Sequence, residues 1–167
     1  MLRSLVACVV ALLLLMTGDA AAATKPAPLN SVERELLGTW RLKSFVVRDS
    51  AGNETKPLGS KPVGKITYSP DRTMWALVAR RGAIKELPDA NWYTGTFRVN
   101  RKAGTVIHTV DASNITTWEG TEQVRKLELS GNRLTLSIVG ADSSSILSWR
   151  RAELGALTTH PRPGRVS

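Results

Sequence analysis

The chain has 167 residues, 42% of them apolar, and its 23 Lys and Arg outnumber 14 Asp and Glu for a formal net charge of +9. Its single cysteine is Cys8, and its two histidines are His108 and His160. Downstream of Cys8 this excludes thiol catalysis, cysteine-based zinc sites and iron–sulfur clusters, each of which needs sulfur.

Arg3, the apolar run from Leu5 to Met16 and the exit Asp19-Ala20-Ala21-Ala22-Ala23 have the layout of a secretory signal peptide. A run of about 12 residues is shorter than the about 20 that a membrane span needs. Residues 1–23 are therefore expected to be removed near Ala22 or Ala23, leaving a secreted or periplasmic protein. Leu5-Val6-Ala7-Cys8 looks like a lipoprotein box, but Cys8 precedes most of the apolar run instead of following it. Removal leaves about 144 residues, enough for one domain with one core. Without cysteine, that core must rest on burial and backbone hydrogen bonds.

Residues 24–29, TKPAPL, read as a flexible leader. Asn30 or Ser31 then caps a short helix, with Glu33 placed for a capping box and Gly38 placed to end it. After Gly38 the helical period gives way to alternation. In residues 39–48, strict alternation puts Trp40, Leu42, Ser44 and Val46 on one face and Arg41, Lys43, Phe45 and Val47 on the other. Strand-like runs follow at 64–69, 73–80, 91–100, 105–112, 121–130, 133–139 and 144–151. Turn residues separate them, and no helical stretch lies between any pair.

Eight sequential strands with short connections predict an all-β fold, an eight-stranded up-and-down antiparallel β-barrel with a short N-terminal helix, over residues 30–152. An open sandwich is the main alternative, and Gly95 inside a strand suits a barrel bend better. Residues 153–167 read as a disordered basic tail.

The order of blocks resembles the small bacterial and fungal lipocalin-like domain family. The resemblance rests on LLGTWRLKSFVVRD with its Gly38-Thr39-Trp40, on PVGKITYSPDRTMWA, YTGTFRVN and GTVIHTVDAS, and on the GTEQVRKLELSGNRLTL segment. It implies a calycin-type barrel whose floor holds Trp40 and Trp149, with Arg151 (or Arg150 in another register) packed over Trp40. It implies no particular activity.

Candidate chemistry lies inside the barrel. In the segment from Glu122 to Leu129, Glu122, Val124, Lys126 and Glu128 share a nearly all-charged face. Gln123 and Arg125 are therefore expected inside, where a guanidinium needs a partner or a ligand oxygen. His108 shares a face with Val106 and Val110, and the pattern leaves open which face is inside. The strands that carry them are adjacent in a meander, so His108 and Arg125 are expected across one hydrogen-bonded pair. Tyr93 lies toward the open end, and Trp118 sits in a loop that could cover the mouth. Tyr93, His108, Trp118, Gln123 and Arg125 are thus the candidate ligand-binding residues, suited to a small hydrophobic or amphipathic molecule with one carboxylate or carbonyl. The competing reading is an internal hydrogen-bond network that only fixes register.

Trp75 and Trp92 are undecided between wall and surface. The triplets Asn53-Glu54-Thr55 and Asn114-Ile115-Thr116 fit glycosylation sequons by chance. No cofactor and no metal site is expected, and haem on His108 alone has little support. Basic residues come singly or as dyads such as Arg80-Arg81 and Arg150-Arg151, which reads as a solvated basic surface. No specific nucleic-acid partner is expected; weak attraction to an anionic envelope surface is, and so is a monomer. A barrel-pocket enzyme of isomerase or cyclase type, using His108 or Tyr93 with Arg125, remains the alternative to a binding protein. An envelope surface-interaction protein is the third possibility.

Overall fold

A computed structural model describes residues 27–82 and 90–153. The expected signal peptide, the first part of the leader and the tail beyond residue 153 lie outside the described residues. The described chain runs α1 (Ser31–Leu36), β1 (Gly38–Asp49), β2 (Glu54–Thr55), β3 (Val63–Tyr68), β4 (Thr73–Ala79) and β5 (Ala90–Asn100). It continues through β6 (Thr105–Ser113), a 3-10 turn (Thr116–Trp118), β7 (Glu122–Ser130), β8 (Arg133–Val139) and β9 (Ser143–Arg151).

Each strand from β3 to β9 pairs antiparallel with the next, and β1 pairs with both β3 and β9. The sheet thus closes into an eight-stranded up-and-down barrel, and the open sandwich is ruled out. The two-residue β2 adds to the far end of β1 through Val47 opposite Thr55 and Arg48 opposite Glu54. It lies in the Pro-Gly-rich connection, where composition gave no strand signal.

Two bulges set which side chains face inward. Opposite β9, the register of β1 shifts between Leu42 and Ser44, so Lys43 is an extra residue. An extra residue exchanges the faces beyond it. Trp40 and Leu42 are buried, and past the bulge Phe45 lines the interior cavity. Strict alternation had put Phe45 on the opposite face. The second shift falls between Thr94 and Gly95, where Asp111 is passed over in β6. A Cβ on Gly95 would stand 1.9 Å from the Thr109 carbonyl oxygen, so only glycine lets the strands meet there.

One end of the barrel is shut. Asn30 and Glu33 form a reciprocal capping box at the start of α1. Glu33 also accepts from the Val99 amide at 3.2 Å and from Arg72 Nη2 at 3.1 Å, tying α1 to β5 and to the β3–β4 turn. Burial alone would raise the pKa of its carboxyl. The Asn30 amide, the Arg72 guanidinium and the Val99 amide together hold it below the usual value.

Trp40 is fully buried and donates from Nε1 to the Leu36 carbonyl at 2.9 Å. The Arg151 guanidinium lies 4.1 Å from the Trp40 ring centre and donates to the carbonyls of Leu37 and Glu35, both at 2.6 Å. One cation thus stacks on the floor indole and caps the carbonyl end of α1.

Candidate functional site

Above that floor, a cavity of about 90 Å³ opens toward the far end of the barrel. Phe45, Ile66, Leu136 and Leu147 form apolar wall. Tyr93, Trp118, Arg125 and Trp149 bring polar atoms or rings, and Asn91 and Ile138 stand near the rim.

The strands deliver these groups by simple alternation. On β7, Gln123 and Arg125 point inward, while Glu122 pairs with Arg98 at 2.8 Å and Lys126 pairs with Glu128 at 3.3 Å on the outside. Arg125 is 7% exposed. Its Nη2 donates to Gln123 Oε1 at 3.2 Å and its Nη1 to the Val124 carbonyl at 3.1 Å. Gln123 is fixed in turn by donating from Nε2 to Thr121 Oγ1 at 3.0 Å. Among the described residues no carboxylate pairs with Arg125. Burial lowers the guanidinium's pKa, while the nearby phenols of Tyr93 and Tyr68 oppose that shift.

His108 faces inward and is fully buried. It stands directly opposite Gln123, with Arg125 two pairs further on and opposite Val106. His108 and Arg125 are therefore diagonal neighbours and not the cross-strand pair that sequence pattern suggested. The imidazole sits between two phenols: Nε2 is 3.0 Å from the Tyr68 oxygen, and Nδ1 is 2.8 Å from the Tyr93 oxygen. Burial, and then the Arg125 charge, lower its pKa from 6.5 to about 3, so the ring is neutral.

A neutral imidazole donates from one nitrogen and accepts at the other, and donor counting assigns which. Tyr68 is buried, and among the described residues His108 is the only side-chain partner of its hydroxyl. Were Tyr68 the acceptor, its own proton would be buried without a partner. The Tyr68 O–H therefore donates to Nε2, and Nδ1–H donates to the Tyr93 oxygen. That leaves the Tyr93 proton for whatever occupies the cavity. Burial raises the pKa of both phenols, most strongly Tyr68, so both remain protonated donors at neutral pH.

A third donor stands in the same wall. Trp149 lines the cavity, and its Nε1–H is buried without an acceptor among the described residues. The residues that line the cavity thus carry three donors, the Tyr93 hydroxyl, the Arg125 guanidinium and the Trp149 indole N–H.

Of the five candidate residues, Tyr93, Trp118 and Arg125 line the cavity, whereas His108 and Gln123 sit behind and hold Tyr93 and Arg125. Trp118 packs edge-on to Tyr93, ring centres 5.7 Å apart, near the mouth. Trp149, expected with the floor, also lines the cavity. Sequence reading missed Tyr68, although Tyr68 shares an alternation face with Ile66 and that pairing was an available signal. Among the described residues no three His, Cys, Asp or Glu side chains cluster to hold a metal ion.

No curated protein matches the chain. A family model described as a lipocalin-like domain matches residues 83–158, the stretch that contains Tyr93, His108, Trp118, Gln123, Arg125 and Trp149. Residues 83–158 are thus similar to a lipocalin-like domain, and the closed eight-stranded barrel agrees with that likeness.

Proposed function

We propose that the barrel binds a compact amphipathic acid or carbonyl compound, its oxygen against Arg125, Tyr93 and Trp149 and its apolar body against Phe45, Ile66, Leu136 and Leu147. The lipocalin-like fold suggests ligand binding in general. The observation that carries the finer reading is the set of converging donors. Among the described residues, the lining of one small apolar cavity carries a buried indole N–H without a partner and a buried guanidinium without a carboxylate. Each is costly to keep unless something there accepts its hydrogen bonds.

The volume fits a short acid, or the head of a longer one whose chain leaves past Trp118 and Ile138. The signal-like residues 1–23 support a role outside the cytoplasm. Against a catalytic role, both His108 nitrogens are held by phenols and its pKa lies far from neutrality, which suits neither general acid nor general base.

Titration calorimetry with straight-chain carboxylates and the matching alcohols tests this. Charge-assisted hydrogen bonds predict that the acids bind about tenfold or more tighter than the alcohols. In Arg125→Met that preference should disappear. Equal affinities in the parent protein, or no binding by either series, would overturn the proposal.

A further inference from the structure

The outer wall carries a feature invisible along the chain. Lys65 on β3 stands directly opposite Arg41 on β1, Arg41 opposite Arg150 on β9, and Arg150 opposite Arg133 on β8. Four exposed cations thus form one unbroken row across four neighbouring strands, about 14 Å long at the usual strand spacing. The bulged Lys43 lies beside it. None of these five takes part in an ion pair among the described residues. The exposed acids Glu122, Glu128 and Glu54 are paired elsewhere, with Arg98, Lys126 and Arg48. Glu153 is the one carboxylate, among the described residues, lining the adjoining groove.

The row continues through Leu77 and Trp92, because Lys65 opposes Leu77 and Leu77 opposes Trp92. Trp92 is 39% exposed, and Trp75, two residues before Leu77, is 42% exposed. Trp75 also lines a groove of about 430 Å³ with Arg41, Lys43 and Lys65.

Like charges placed directly opposite on a sheet are destabilising. Three such contacts in a row therefore need a compensating partner. We infer that this face docks on an anionic phospholipid bilayer, with Lys65, Arg41, Arg150 and Arg133 against the headgroups and Trp75 and Trp92 at the interface. Membrane-surface sites combine cations with tryptophan in this way. The aromatic residues stand at one end of the row and do not alternate with the cations. A single-stranded nucleic acid, by contrast, would want stacking rings interleaved with its phosphate contacts.

The test uses the full chain with phosphatidylcholine vesicles, with and without phosphatidylserine. Because the apolar run 5–16 would favour both kinds alike, the readout is the ratio of the two partition coefficients. The parent should prefer the anionic vesicles and lose that preference at moderate salt. Arg41→Gln with Arg150→Gln should cut the ratio about 25-fold, at about 1 kcal/mol per cation. Arg101→Gln with Lys102→Gln, which removes the same charge from the β5–β6 turn, should leave it close to the parent value. Equal losses from the two double variants would overturn the inference by reducing it to net charge. So would a parent that ignores phosphatidylserine, or one that binds a single-stranded oligonucleotide and not the vesicles. The parent's salt response stands without any variant.

Discussion

The interior chain from Tyr68 through His108 to Tyr93 works only if each proton has one place to go. Tyr68→Phe removes the donor to Nε2 and leaves that nitrogen buried without a partner, at a cost of about 1–3 kcal/mol in urea unfolding. His108 makes the fold acid-sensitive in a defined window. Its pKa is about 3 in the folded chain and near 6.5 when unfolded. Between those values the unfolded state takes up a proton that the folded state refuses, so stability falls as pH falls. The expected slope is about 1.4 kcal/mol per pH unit between about pH 6 and pH 3. Unfolding free energies at stepped pH should show that component in the parent and lack it in His108→Gln. Arg125→Met should act in the opposite sense to an ordinary core substitution. Removing an uncompensated buried cation should leave the fold as stable as the parent, or up to about 2 kcal/mol more stable, while the acid preference is lost. Arg125 and Gln123 were legible because the other face of their strand is nearly all charged. Tyr68 could have been read from its alternation with Ile66, whereas the unpartnered N–H of Trp149 is a fact of three-dimensional contact that no pattern carries.

At the scale of elements, the strands and the capped helix follow from alternation, turn residues and the Asn30–Glu33 spacing, and their positions agree closely with the structure. Facing was harder to read, because one bulge exchanges every later side chain on a strand. The extra residue at Lys43 turned Phe45 into the cavity, and nothing in the local sequence marks it. The bulge at Asp111 had a signal in Gly95, which sits opposite. Gly95→Ala would drive a Cβ into the Thr109 backbone, where no side chain can give way. We expect a loss of about 3 kcal/mol by chemical denaturation, at the upper end for overpacking. Ala at Gly120, where no atom lies within 4 Å of an added Cβ, should cost less. Its positive φ of 73° would still exact a backbone penalty.

For the whole molecule, closure divides the barrel into a sealed end and an open one. Trp40, Arg151 and α1 fill the first, and the cavity lined by Tyr93, Arg125 and Trp149 lies toward the second. The Gly38-Thr39-Trp40 block and the closing Trp149-Arg150-Arg151 strand made the sealed end legible. The basic row was not, because Arg41, Lys65, Arg133 and Arg150 are far apart in sequence and only the register brings them together. The row has a thermodynamic mark of its own. Arg41→Gln with Arg150→Gln relieves all three like-charge contacts and should raise stability by about 0.5–1 kcal/mol at low salt. The gain should shrink as salt screens the row. The central claim concerns the cavity, and the indole N–H resonances test it most directly during titration with octanoate. The Trp149 resonance should shift downfield as its free donor gains an acceptor, while Trp40, already bonded to the Leu36 carbonyl, stays in place. A Trp149 resonance that does not move, with changes confined to the exposed Trp75 and Trp92, would place octanoate on the surface and contradict the account.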